Sequence, residues 1–176
     1  MVRVRVAGVA LDATGQHVIL LKPVDEPAGQ GRILPIWIGE QEATSILVAV
    51  EGADTPRPLA HDLMRSMLET LGAAVEAVEV TRIDDGTFYA EITLSALGGT
   101  VRIDARPSDA VALACRVGAP IHVADAVLDE AGIPDSVTGD DESAASAADP
   151  VIDAEERVDE FKRFLDDVDP EDFRDT

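Results

Sequence analysis

Residues 100–123, TVRIDARPSDAVALACRVGAPIHV, constrain what this chain can fold into more than any other stretch, because a short strand runs through Arg106-Pro107-Ser108-Asp109 into a helix with no polar face. Val101, Ile103 and Ala105 fall on one side of the strand, and Arg102, Asp104 and Arg106 on the other. Pro107 suits the first helical turn, where its missing N–H is not needed, and Asp109 lies in that turn, near the positive end of the helix dipole. Ala110 to Val117 is apolar apart from Arg116, so other elements must cover this helix on several sides. Gly118 is placed to end it, and Pro120 prevents continuation before Ile121-His122-Val123 returns as a strand.

The rest of the chain supplies the elements such a helix needs. Strands over 2–11 and 17–21 flank Asp12-Ala13-Thr14-Gly15 as an opening hairpin. A Gly-rich loop at 26–32 precedes a strand at 33–38, whose Pro35 calls for a sheet edge or a bulge. A helix over 40–51, closed by Gly52, carries Glu40 and Glu42 in its first turn, and a Pro-rich connection leads to a second helix over 59–71, closed by Gly72. Leu59, Leu63, Met67 and Leu71 recur every four residues, so this line is expected to face the core and to leave His61, Asp62, Arg65 and Glu69 outside. Strands at 75–83 and 87–95 join around Asp84-Asp85-Gly86, the chemistry of a tight β-turn. Phe88, Ala90, Ile92 and Leu94 would face inward. Were these strands beside the one at 100–106, Tyr89, Glu91, Arg102, Asp104 and Arg106 would share one polar sheet face. With a short helix over 124–131, the expected class is α+β: a mixed, largely antiparallel sheet with packed helices, in a domain spanning residues 1–133.

Beyond it the composition changes. Residues 134–152 are small, acidic and turn-rich and read as a flexible linker, while 153–176 place Val158, Phe161, Phe164, Leu165 and Val168 at helical spacing, as a C-terminal amphipathic helix and acidic tail. The formal net charge is −21, and residues from Pro134 onward carry sixteen Asp or Glu against four Lys or Arg, more than half of that excess. Non-specific nucleic-acid affinity depends on cations set against phosphate, so tight passive binding of DNA or RNA is disfavoured and a transient nucleic-acid substrate is not. Cys115 is the only cysteine, which excludes an intrachain disulfide and suits a buried, inert thiol. The first residues alternate as a strand does, and no apolar run is long enough to span a bilayer. A cytoplasmic protein with no membrane partner is therefore expected.

Four blocks, in the order Leu34-Pro35-Ile36-Trp37-Ile38-Gly39-Glu40-Gln41-Glu42-Ala43, Arg57-Pro58-Leu59-Ala60-His61-Asp62, Gly86-Thr87-Phe88-Tyr89-Ala90 and the segment 100–123, resemble the bifunctional nuclease (BFN, DUF151) domain family. The resemblance covers roughly residues 1–133. It implies an α+β domain, usually self-associating as a dimer or higher homo-oligomer, with nuclease activity attributed to some members.

Nucleases often use carboxylates to hold divalent cations that activate water and neutralise charge at the phosphate. Mg²⁺ and Mn²⁺ prefer oxygen ligands and two or three carboxylates suffice. Glu40, Glu42, Asp62, Asp104 and Asp109 fall in the matching blocks, and Glu42, Asp62 and Asp109 are the expected metal ligands for Mg²⁺ or Mn²⁺. His61 would act as general base or position the water, and Arg106 would bind a non-bridging phosphate oxygen. Plain structure also accounts for each: acids in first helical turns meet the dipole, a helix-surface histidine is commonly solvated, and sheet arginines pair across strands. Trp37 and Phe88 are able to stack bases, though a lone Trp in an apolar strand reads as core. No P-loop, nucleophile-elbow serine or cysteine-rich zinc pattern occurs. The alternative to a metal-dependent nuclease is a non-enzymatic homo-oligomeric interaction module that docks a partner through its C-terminal helix.

Overall fold

Alternating strands and continuous apolar ones pair into a single eight-stranded sheet with helices packed on it, as a computed structural model of the chain shows for residues 1–136 and Thr138. The elements run β1 (Val2–Leu11), β2 (His17–Pro23), β3 (Arg32–Ile38), α1 (Glu40–Glu51), α2 (Ala60–Thr70), β4 (Ala74–Asp84), β5 (Thr87–Ala96), β6 (Gly99–Ala105), α3 (Pro107–Val117), β7 (Ile121–Val123), α4 (Asp125–Ala131) and β8 (Ile133–Pro134). The strand order is β6-β5-β4-β7-β1-β2-β3-β8, and every neighbouring pair is antiparallel except β4 with β7. The fold is therefore α+β with a mixed, largely antiparallel sheet. The expected C-terminal helix and most of the acidic linker lie outside the described residues. Among the described residues no helix is long and apolar enough to cross a membrane.

One parallel step explains why α3 is so apolar. The chain must cross the sheet to bring β7 alongside β4 and β1, and the element that crosses is α3, laid over β4 and β5. Ala110, Val111, Ala112, Leu113 and Ala114 are all buried in it. Ala110, Val111, Ala112 and Ala114 share one core with Val78, Val80, Ala90, Ile121 and Val123 from the sheet, Ile46 of α1, and Val127 and Leu128 of α4. Gly118 ends the helix at φ +70°, a left-handed conformation that costs a side-chain-bearing residue about 1 kcal/mol or more.

The β4–β5 hairpin forms as its turn dictates. Asp85 and Gly86 both have positive φ, +47° and +74°, which suits the twist of the flanking strands β4 and β5. Pro35 is tolerated because β8 pairs only with Arg32 and Ile33, so β3 is a free sheet edge where the proline stands.

Two expectations about burial are corrected. Leu63, Met67 and Leu71 of the four-residue line on α2 do not face the core: they are 56%, 54% and 70% exposed, and His61 is the buried residue of the helix. The cause is that α2 has polar partners on α1 and α3 for His61 and Asp62, and these linked groups, rather than the apolar line, set which face turns inward. Trp37 is likewise not core. Leu34 and Ile36 take the core-facing positions of β3, and the alternation of the strand leaves Trp37 53% exposed.

Pro134 and Asp135, expected at the head of the linker, are held in the fold. Lys22 is fully buried on β2, and its Nζ donates to Asp135 Oδ2 and to the Gln30 carbonyl, both at 2.6 Å. Asp135 also accepts from the Gly29 and Thr138 N–H groups. Removing one partner of such a buried pair costs roughly 3–5 kcal/mol, because the other charge stays buried. Lys22→Ala is thus expected to lower unfolding free energy by about that amount in urea titration, and Lys22→Ala with Asp135→Ala to recover part of it. A single variant as stable as the parent would show that the pair contributes nothing.

Candidate functional site

The first turns of α1 and α3 follow directly on β3 and β6, and the arginine that caps α3 joins them. Arg106 Nη1 donates to Glu42 Oε1 at 2.9 Å, while Nε and Nη2 donate to Asp109 Oδ2 and Oδ1 at 2.7 and 3.0 Å. The second contact is a two-bond fork, the strong geometry for guanidinium and carboxylate. Glu42 Oε2 folds back over Gly39, where any side chain would collide with it, so glycine at the N-cap of α1 is what lets this carboxylate reach its place.

Behind Asp109 the chain of contacts runs inward. Its Oδ1 lies 3.3 Å from His61 Nε2, and His61 Nδ1 lies 2.9 Å from Ser45 Oγ on α1. The order Ser, His, Asp is that of a nucleophilic triad, but Ser45 is buried and out of reach of a substrate. Both nitrogens of His61 are engaged, so it orients Asp109, and the expected base role would require one of these bonds to break. Asp62 goes elsewhere. Its Oδ1 accepts from Arg116 Nε at 2.7 Å, its Oδ2 accepts the Leu59 N–H at 2.9 Å, and Arg116 is tied on to the carbonyls of Ser45 and Ala112.

The electrostatics follow from these partners. Burial works to raise the Asp109 pKa, but the Arg106 hydrogen bonds and charge, with His61 beside it, hold the carboxyl below its ordinary value. Asp62 is shifted the same way: burial opposes, while Arg116 and the Leu59 N–H prevail. The Asp109 hydrogen bonds push the Arg106 guanidinium further above its already high range. The site at neutral pH is a fixed cation set between two carboxylates.

Of the expected metal ligands, then, Glu42 and Asp109 meet on Arg106 and Asp62 is held apart by Arg116. Among the described residues no group of three or more His, Cys, Asp or Glu is arranged to hold a metal. The donor set as it stands does not fit Mg²⁺ or Mn²⁺, because Glu42 and Asp109 are both bonded to the Arg106 guanidinium and Asp62 is bonded to Arg116. Asp104 makes no bond to this set and stands opposite Glu91 on the β5–β6 pair. There Arg102 reaches Glu91 and Glu79 at 3.1 and 3.6 Å, and Arg82 lies 3.6 Å over the Tyr89 ring, so the expected polar face is present on these strands without Arg106.

Arg106 opens onto a cleft of about 690 Å³, walled by Trp37, Phe88, His17, Glu40 and Glu42. Trp37 is fixed there by Asp12, whose Oδ2 accepts the indole N–H at 2.9 Å. Asp12 Oδ1 meanwhile accepts from Thr14 N, Thr14 Oγ1 and Gln16 N at 2.7–2.9 Å. The Thr14 hydroxyl, the Gln16 N–H and the indole together hold this carboxyl well below its ordinary value. Asp12, Ser45 and Arg116 are site residues that sequence reasoning missed. Asp12 left a signal as the first residue of a hairpin turn, a position where aspartate commonly binds the backbone two residues on, and Arg116 left one as the charged residue of an otherwise apolar helix, while Ser45 left none.

The sequence profile described as "Bifunctional nuclease domain" matches residues 19–136. The chain is 42% identical, over the full length of both, to an uncharacterized protein of Mycobacterium tuberculosis. It is 32% identical to Bifunctional nuclease 1 of Oryza sativa subsp. japonica over 64% of this chain and 34% of that protein. Bifunctional nuclease 2 of Arabidopsis thaliana is 33% identical over 60% of this chain and 32% of its own length. The chain thus spans about a third of the plant relatives it matches.

Because the folded pKa values of Asp62 and Asp109 lie below the ordinary 3.8, both contribute stability that is complete above that value and lost as pH falls through the folded ones. Thermal melts of the parent should therefore drop steeply below about pH 4, and those of Asp109→Asn should start lower at pH 7 and drop less. An identical acid slope in the two proteins would count against the Arg106–Asp109 fork as its source.

Proposed function

The chain belongs to the bifunctional nuclease domain family, and from that membership we propose that its Arg106 cleft binds and cleaves phosphodiesters of single-stranded DNA or RNA. The observation that carries this reading is an arginine, 65% exposed, held between two carboxylates at the mouth of a cleft with an exposed, anchored tryptophan. A guanidinium is the side chain suited to a non-bridging phosphate oxygen, and an aromatic face takes any unpaired base. A duplex keeps its bases stacked, so the Trp37 wall favours single strands. The acidic chain as a whole supplies little general attraction to phosphate, which confines binding to this cleft.

In this reading the phosphate takes one carboxylate's place on Arg106. The carboxylate set free, Glu42 at the cleft wall, accepts a proton from the attacking water as the new P–O bond forms, and the leaving oxygen departs with a proton from solvent. Asp109 stays oriented by His61 and keeps Arg106 in position. No step is routed through a metal ion. The Mg²⁺ or Mn²⁺ dependence expected from the resemblance is part of the proposal's test, since a cation would have to displace Arg106 from Glu42 or Asp109. The engagement of all three carboxylates by arginines or backbone also favours a second reading, a non-enzymatic interaction module.

Purified protein should cleave a fluorescent single-stranded oligonucleotide, assayed with Mg²⁺, with Mn²⁺ and with chelator. Arg106→Ala should lower kcat/KM about a hundredfold, the scale of losing one preorganised donor to developing charge. Trp37→Ala should act mainly on KM, raising it roughly tenfold, by loss of about 1–3 kcal/mol of stacking. Cleavage that survives Arg106→Ala at the parent rate would assign the activity to another site or a contaminant, and no cleavage under any condition would favour the interaction module.

A further inference from the structure

Helix α2 turns its apolar side away from the fold. At helical geometry Leu63, Met64, Met67 and Leu71 fall within about 100° of one another, the width of stripe with which a helix normally faces a core. Yet they are 56%, 43%, 54% and 70% exposed, and the buried residue of the helix is His61. Among the described residues nothing covers the stripe. A contiguous apolar patch of this kind marks a surface that another element occupies. The helix also needs a cover, because it is seated on α1 and α3 largely through the polar links of His61 and Asp62.

We propose that residues 158–168 of the same chain dock on this stripe as a helix, antiparallel to α2. Val158, Phe161, Phe164, Leu165 and Val168 fall within about 120° at helical geometry and extend over about 15 Å, against about 12 Å from Leu63 to Leu71, so the two stripes match in width and length. The segment is within reach. Asp135 is pinned to the fold by Lys22, and the twenty residues from Thr138 to Val158 span up to roughly 70 Å when extended. A domain of this size has a radius of gyration of about 14 Å, so no point of its surface lies too far. A tethered segment meets the stripe at an effective concentration on the order of millimolar, an advantage that a second copy or a free partner lacks. Charge sets the direction. Asp166, Asp167 and Asp169 lie at one end of the docking segment and Arg157, Lys162 and Arg163 toward the other, while Arg57 and Arg65 precede Glu69 along α2. Antiparallel docking brings the acids to the two arginines and to the positive end of the α2 dipole, and the basic residues to Glu69. A parallel arrangement reverses each of these pairings. The inference rests on the α2 stripe and does not depend on the nuclease reading.

Hydrogen exchange on the full chain tests the contact. Phe161→Asp combined with Leu165→Asp should speed exchange of the α2 amides roughly tenfold or more, by removing the cover from a thinly seated helix. The β1, β2 and β4 amides should keep the parent's rates, which shows that the domain itself stays folded. Cross-linking tests the direction, in a Cys115→Ala background that removes the native thiol. A short bis-maleimide should bridge Leu71→Cys to Val158→Cys within one chain, and should bridge Leu63→Cys to Val158→Cys far less, since Leu63 stands about 12 Å further along α2. Unchanged α2 exchange in the double variant overturns the proposal. Bridging between chains also overturns it, by placing a second copy on the stripe, and so does bridging that favours Leu63 or is equal at both positions.

Discussion

An apolar helix that must be covered on every side is the constraint on which this structure depends. Helix α3 can be buried only if the sheet lies beneath it and α1 and α2 flank it, and its two arginines secure those neighbours. Arg106 at its start holds α1 through Glu42, and Arg116 near its end holds α2 through Asp62 and α1 through the Ser45 carbonyl. All are charge-assisted bonds, but only those of Arg116 lie in largely desolvated surroundings, where a missing partner is costly, while those of Arg106 are at the surface. The helical layer is therefore oriented by polar links as much as by apolar packing.

The same links shape the chemistry. A chain this acidic cannot gather phosphate by general attraction, and among the described residues Arg32, Arg65, Arg102, Arg106 and Arg116 are each paired with a carboxylate of the same chain. Arg106 differs from Arg116 in position rather than in pairing: one opens onto a cleft, the other is almost wholly enclosed. An exposed arginine whose partners are carboxylates is poised for exchange with another anion, and a buried one is a strut. Family membership directs attention to the first of these, and the anchored Trp37 beside it supplies the base-sized surface that a nucleotide would use.

Much of the fold was legible locally. The start and stop of α3, both hairpins, and the turn at Asp85-Gly86 follow from backbone preferences that act over a few residues. Pro35 announced a sheet edge for the same reason, having no N–H to donate. The inward face of α2 was not legible, because its apolar spacing at Leu63, Met67 and Leu71 argues for one orientation and the tertiary partners of His61 and Asp62 impose the other. Strand β8 and the Lys22–Asp135 pair were equally hidden, since a buried lysine looks like any other until a carboxylate 113 residues away is brought to it.

For the site, the sequence by itself determined the residue types and their places at element starts: an arginine capping α3, acids in the first turns of α1, α2 and α3, and a histidine beside one of them. Each of those statements is local, and each has a local physical reason in caps and helix dipoles. Tertiary structure alone decided which of these groups meet. It joined Glu42 to Asp109 through Arg106, sent Asp62 to Arg116, turned His61 inward and Trp37 outward. Those choices depend on how three helices pack over one sheet, and no periodicity within a single helix contains that information.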